Sequence, residues 1–155
     1  MEHSMDHKSM YIKFVVMIAL SFVAMYAFMY AMVDVFANVI PNYNQFYMAG
    51  LMTAPMIILE MGLMWMMYPH KKLNTAIILG GALLLVLCWF GIRQQVAIGD
   101  EQFLKSMIPH HAGAILMCEK ANLSDPEIKA LCANIISGQA QEIDQMRAIL
   151  ERIDS

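Results

Sequence analysis

Three long apolar runs constrain this chain more than any other feature. They cover roughly residues 11–33 (YIKFVVMIALSFVAMYAFMYAMV), 46–68 (FYMAGLMTAPMIILEMGLMWMMY) and 73–92 (LNTAIILGGALLLVLCWFGI). A helix needs roughly 20 apolar residues to cross the hydrocarbon core of a bilayer, and each run is about that long. One such run could be a buried helix of a soluble domain. Three of them in the first part of a 155-residue chain predict membrane spans. The composition agrees, with 59% hydrophobic and only 15% charged residues, too apolar for an ordinary soluble domain. The first run is longer than the core of a signal peptide and no small-x-small cleavage site closes it. It is therefore expected to stay as an anchor. A net charge of -3 gives no reason to expect nucleic-acid binding.

The basic residues set an orientation. Lys8 and Lys13 stand at the start of the first run, and Lys71 and Lys72 lie between the second and third. The segment 34–45 has no Lys or Arg, and Arg93 alone follows the third run closely. By the positive-inside rule the N-terminus and the PHKKLN loop face the cytoplasm. The DVFANVIPNYNQ loop and everything after residue 93 then lie outside, which in a bacterium means an inner-membrane protein with a periplasmic C-terminal part. Three regions follow: a Met/His-rich tail at 1–10, a three-helix transmembrane region at 11–93, and a two-helix domain at 99–155.

That last region is written differently. Five basic residues stand against nine acids, as expected of solvated helix faces. Gly99 and Asp100 can start a helix whose first turn holds Glu101. Phe103, Met107, Ala114, Met117 and Ala121 recur at helical spacing. NLSDPE breaks the pattern. Asp125 before Pro126 reads as an N-cap followed by proline at the first helical position, and Ser124 with Glu127 offers an alternative capping box. Ile128, Leu131, Ile135, Ile136, Gln139, Ile143, Met146 and Leu150 then mark one stripe of a second helix. The fold class is all-α: three transmembrane helices and a helical hairpin. Two helices bury little core alone, so the hairpin is expected to pack on a copy of itself or on the outer ends of the spans, with oligomerisation the favoured solution.

A turn centred near residue 125 places Cys118 opposite Cys132, Met107 opposite Ile143 with Met146 within a turn, and His111 opposite Gln139 with Glu142 a turn away. An oxidising compartment would let Cys118 and Cys132 form a disulfide, and two buried thiols are the other reading. Cys88, inside the third run, reads as packing. In SMIPHHAGAILMCEK, Pro109 is expected to bend or restart the helix and so to aim His110 and His111. Met107, His110, His111, Met117 and Met146 form a candidate soft-metal set, with Gln139 and Glu142 as auxiliary ligands or as acceptors that steady an imidazole. The alternative is a motif that only locks the hairpin by hydrogen bonds.

DEQFLKSMIPHHAGAILM followed by IISGQAQEIDQM resembles the bacterial family catalogued as domain of unknown function 305. The resemblance rests on Met107, Ile108, His110 and His111, then Gln139, Glu142, Ile143 and Met146, and covers about residues 100–153. The three-span front resembles the membrane-anchored members. What the resemblance implies is ferritin-like helix packing and an association with copper.

Methionine use points the same way. All but Met107, Met117 and Met146 of the 17 methionines lie in the first 67 residues, and thioether sulfur favours Cu(I). His3, Met5, His7 and Met10 interleave in the N-terminal tail as a second candidate set, against a plain solvated tail. Met25, Met29 and Met32 share one helix face. Met52, Met56, Glu60, Met64 and Met67 share another. An ionisable residue inside a span is costly and usually functional, so Met56, Glu60 and Met64 are candidates for a cation or proton role. The opposing reading is flexible packing with a structural hydrogen bond.

The expected function is a membrane-anchored metal-binding protein, with copper, most readily Cu(I), as the ion. Its role would be sequestration, delivery or tolerance in the periplasm. The expected partners are membrane lipids, further copies of the chain and a copper-handling protein. No enzymatic chemistry is expected, because the paired histidines lack the His-Glu-x-x-His spacing of a metal hydrolase and no nucleophile is evident. The alternative is an accessory subunit or adaptor of a larger membrane complex.

Overall fold

A computed structural model of the chain describes residues 7–153, apart from the side chain of His7. Five α-helices follow one another: α1 His7–Phe28, α2 Tyr43–Leu63, α3 Lys71–Arg93, α4 Asp100–Lys120 and α5 Pro126–Ile153. Two short 3-10 segments, Met29–Met32 and Phe36–Asn38, lie between α1 and α2. The described residues contain no strand. The chain divides into two units, Met1–Phe28 with Phe46–Val96, and Met29–Gln45 with Ala97–Ser155.

The first unit carries the three helices that are long and apolar enough to cross a membrane. Its helix pair α2/α3 is held by small residues. A Cβ on Gly91 would stand 3.0 Å from the Tyr47 ring, one on Gly50 would stand 2.6 Å from Cys88 Sγ, and one on Gly81 would stand 3.1 Å from Ile57. Moving up α2 from Tyr47 to Gly50 to Ile57 moves equally far down α3, from Gly91 to Cys88 to Gly81. That is a single antiparallel register. The buried residues Asn74, Gly81 and Cys88 repeat every seven positions on α3, the spacing of a shallow left-handed crossing. Close approach of backbones at small residues is what holds helices together where lipid removes the hydrophobic drive.

One end of this unit is polar and satisfied. Asn74 is fully buried. Its Oδ1 accepts from the Tyr11 hydroxyl at 2.7 Å, and its Nδ2 donates to the Tyr68 carbonyl at 3.1 Å. The Tyr11 hydroxyl accepts in turn from the His70 backbone N–H at 3.2 Å. Lys71 Nζ donates to the carbonyls of Trp65 and Tyr68. Phe14, Met61 and Tyr68 close the apolar core beside this network.

The apolar runs and the helices do not coincide. The helical part of the second run begins three residues early, at Tyr43, and stops at Leu63. The turn Met64–Met67 and then Pro69, which disfavours helix in the residue before it, end the element. The supposed face from Met52 to Met67 is therefore not one helical stripe. The α-helix of the first run stops at Phe28, and the change to 3-10 winding breaks the common face expected of Met25, Met29 and Met32. Neither Pro55 nor Pro109 ends its helix.

The second unit is a hairpin with a cover. Leu104, Ile108, Ala112 and Ile115 of α4 meet Ile143 and Met146 of α5 in one cluster, joined by Val33 and Ile40 from the segment between α1 and α2. The cover is pinned at several points. Arg147 Nη2 donates to the Ala37 carbonyl at 2.7 Å and to Asn38 Oδ1 at 2.6 Å, while Asn38 Nδ2 donates to Asp34. Tyr43 N–H donates to Gln102, and Asn44 to Ser106. Part of the cover for which the sequence suggests a second copy thus comes from the chain itself. Asp125 Oδ1 accepts from the N–H groups of Glu127 and Ile128, so Asp125 is the cap of α5. Cys118 and Cys132, 14 positions apart in sequence, form a disulfide with Cα atoms 5.2 Å apart. Closing a loop of that size stabilises by about 3 kcal/mol in the chain-entropy account.

The buried stripe of α4 is offset by one residue from the expected one. Phe103 and Met117 are exposed, and Leu104, Ile108, His111 and Ile115 face the core. On α5, Ile128 and Leu131 are also exposed, and burial centres on Ile143 and Met146. Both stripes are apolar at helical spacing, so periodicity alone does not choose between them.

Candidate functional site

The hairpin seam carries a buried histidine between two acceptors. His111 is 9% exposed. Its Nδ1 lies 2.9 Å from the carbonyl oxygen of Met107, and its Nε2 lies 2.8 Å from Glu142 Oε2. A carbonyl only accepts, so Nδ1 carries a hydrogen and donates it. The contact between Nε2 and the carboxylate then holds one further proton. Gln139 Nε2 donates to the same Oε2 at 3.4 Å. The Glu142 side chain is 56% exposed, so the pair sits at the edge of the core, with its carboxylate in contact with solvent.

The sequence register places Gln139 opposite His111 and Glu142 a turn further. In the structure Glu142 is the direct partner and Gln139 braces it. The five-residue connection 121–125 fixes how far each helix has turned when the two meet, which a fold-back centred on one residue does not capture. The continuous α4 makes the Met107–His111 contact possible, because an unbroken helix stacks positions i and i+4.

Met107 packs against the apolar cluster that contains Met146. His111 is joined to Glu142, and through it to Gln139, and to the Met107 backbone carbonyl, while Met107 and Met146 share the apolar cluster of the same two helices. His110 is not part of this set: it is exposed, its ring 6.2 Å from that of His111 and turned by 64°. Met117 is 54% exposed and falls at the helical spacing of Phe103 and His110, on the outward face. Among the described residues no three His, Cys, Asp or Glu side chains come together as an ion site. Any metal at this seam would have to draw on thioethers as well.

The other candidates separate. His3 and Met5 lie outside the described residues, as does the side chain of His7. Met10 packs against the Phe14–Met61–Tyr68 cluster, and so does Met64. Glu60 lies in the last turn of α2, three residues from its end. Burial first, then the Glu60 carboxylate and Tyr11, raises the Tyr68 phenol above its ordinary range.

The sequence reading missed the contact that brings the cover onto α4. A Cβ on Gly113 would stand 3.4 Å from the Met32 carbonyl. The only sequence signal for it is a glycine within an otherwise regular helix pattern, which points to a close approach without naming the partner.

Comparison with known proteins gives two matches. Residues 92–151 match the family model described as domain of unknown function (DUF305). An uncharacterized protein of Acanthamoeba polyphaga mimivirus is 34% identical over 141 residues, covering 87% of this chain and 89% of that protein. The second match is too long to be confined to the hairpin and takes in apolar helices as well. No solved structure matches.

Replacing Glu142 by Ala in the metal-free protein strands the buried Nε2 of His111, and the hairpin is expected to lose about 1–3 kcal/mol. Glu142→Gln keeps an acceptor and should lose less. Amide hydrogen exchange of α4 and α5 reads the difference. Equal protection in both variants and the parent would mean the contact does not hold the seam.

Proposed function

We propose, on the premise that the chain belongs to the domain of unknown function 305 family, that it is a membrane-anchored protein which binds a soft metal ion at the α4/α5 seam. The ion is copper, and the role is sequestration, delivery or tolerance on the non-cytoplasmic side, the periplasm in a bacterium. The observation that carries this reading is the His111–Glu142 contact beside Met107 and Met146. The same pair of helices offers one imidazole, one carboxylate and the thioethers of Met107 and Met146, and this supports the reading. That mixture suits Cu(I) better than zinc, which favours thiolate, imidazole and carboxylate.

The chain's residues have separable tasks in this reading. The Nδ1–H···O=C bond to Met107 fixes the tautomer of His111 and aims Nε2 across the seam. To hold the ion, Nε2 would lose the proton it shares with Glu142 to solvent and offer its lone pair. Glu142, freed and braced by Gln139, remains nearby as a negative charge or an oxygen donor. Met107 and Met146 supply the soft donors. Met107→Leu with Met146→Leu roughly conserves volume and should cost less than ~1.5 kcal/mol per site. Cu(I) affinity is expected to collapse in that variant while helical content survives. Glu142→Gln is expected to weaken binding by about 10–100-fold, as for other groups that orient a ligand. Competition titration against a Cu(I) chelator measures both. Unchanged affinity in the Leu pair would sink the reading and leave the motif as a hairpin lock.

The orientation follows from Lys8, Lys13, Lys71 and Lys72 at one end of the apolar helices. The disulfide supports it, because such bonds persist in oxidising compartments. A phosphatase reporter fused after Ser155 should be active and a fluorescent cytoplasmic reporter silent. The reverse pattern would move the hairpin to the reducing side.

A second reading, an adaptor that docks other chains, draws on exposed Phe103, Met117, Ile128 and Leu131. The same residues favour self-association of the metal-binding form, for which light scattering in detergent should return an oligomer. A folded monomer would count against it.

A further inference from the structure

Methionines that the sequence divides between the first and second apolar runs meet in the first unit. Met10 and Met17 stand on α1 with buried Phe14 between them, a spacing that puts all three on one helix face. Met10 and Met17 pack against the Phe14–Met61–Tyr68 cluster, and Met64 joins it from beyond the end of α2. Met61 is fully buried. Thioethers from two separate stretches of sequence are thus gathered near the start of α1 and the end of α2.

A carboxylate stands beside them. The Met64 N–H donates to the Glu60 carbonyl at 2.9 Å, so α-helical winding carries through Met64 and stacks the two side chains on one face. Burial and then the Glu60 carboxylate raise the Tyr68 phenol, so the charge is felt at the core of the cluster. Among the described residues no group hydrogen-bonds to this carboxylate or forms an ion pair with it. Lys71 directs its ammonium to the carbonyls of Trp65 and Tyr68 and over the Trp65 ring instead.

Methionine is a flexible filler of apolar space, but a filler needs no charge beside it. A carboxylate in the last turn of a helix meets the negative end of that helix's dipole. On a helix apolar enough to span a membrane it is costly as well. A bound cation accounts for both halves. Thioethers supply soft donors, and the carboxylate with the carbonyl end of α2 offsets a charge that an apolar cluster could not hold alone.

We propose that this end of the first unit holds a Cu(I) ion of its own, bound by thioethers from Met10, Met17, Met61 and Met64 with Glu60 as the counter-charge. Thioether sulfur selects Cu(I) among the biological metal ions. The site shares no residue with the α4/α5 seam and does not depend on it. In the orientation proposed above it lies toward the cytoplasm, a reducing compartment.

The test uses the full chain in detergent without oxygen, with Cu(I) delivered from a competing chelator. Met107→Leu with Met146→Leu is the background, since it removes the thioethers of the seam. This background should still take up Cu(I), and X-ray absorption at the copper edge should show sulfur neighbours. Adding Met61→Leu and Met64→Leu, which roughly conserve volume, should remove one ion per chain while helical content stays. Glu60→Gln should weaken uptake by about 10–100-fold, the scale of groups that support a metal's ligands. Met48→Leu with Met52→Leu, an exposed pair on α2 outside the cluster, should change nothing. A background that takes up no Cu(I), or holds it without sulfur neighbours, overturns the site. So does uptake that survives Met61→Leu with Met64→Leu, or unchanged affinity in Glu60→Gln. An equal loss in the Met48/Met52 control overturns it too, since scattered methionines would then explain the binding. If the seam reading fails, the background binds as the parent does, and the loss on Met61→Leu with Met64→Leu still reads this site.

Discussion

The register at which α4 passes α5 is the constraint on which the second unit depends. A rotation of α4 by one residue, about 100°, would take Ile108 and His111 off the core face. Three features hold the observed register. The disulfide ties Cys118 to Cys132 near the turn. His111 joins Glu142 two turns further along. The apolar cluster fills the space between the helices. A buried imidazole needs partners for both nitrogens: the Met107 carbonyl comes from one turn back on the same helix, and this register brings Glu142 to the other side.

The segment between α1 and α2 completes that arrangement. Val33 and Ile40 lie on the hairpin core, and Arg147 holds the segment by the Ala37 carbonyl and the Asn38 side chain. Asn38 and Asn42 are buried polar residues. Asn38 is met by Asp34 and Arg147, while Asn42 donates to the Ile40 carbonyl and accepts from the Gln45 N–H. A two-helix domain that would otherwise present a bare core gains a lid from a stretch far away in sequence.

The first unit solves a different problem. Its helices carry apolar residues on every side, so contact is set by where backbones can approach. Gly50, Gly81 and Gly91 make those approaches, and Asn74 supplies a fully satisfied polar anchor at one end. The two units thus use opposite means: glycine and a polar clamp in one, an aliphatic core with a histidine–carboxylate edge in the other.

By itself the sequence determined the helical class, the three apolar helices, the hairpin, the Asp125–Pro126 start of α5 and the membership of its family. Each of these is a local signal of length, period or cap chemistry. It also brought Cys118 to Cys132, because a fold-back near residue 125 leaves little choice so close to the turn. Away from the turn that certainty is lost. Two apolar stripes on α4 compete at the same period, and tertiary packing chose the one through Leu104, Ile108 and Ile115. That choice buried His111, turned His110 outward and left Met117 exposed. The ends of α1 and α2 were not legible in the apolar runs, since hydropathy measures how apolar a residue is and not whether its backbone stays helical. The lid contributed by 29–45 had no periodic signature at all. It forms because Val33 and Ile40 reach the hairpin core and Arg147, Gln102 and Ser106 come within hydrogen-bonding reach once the chain has folded.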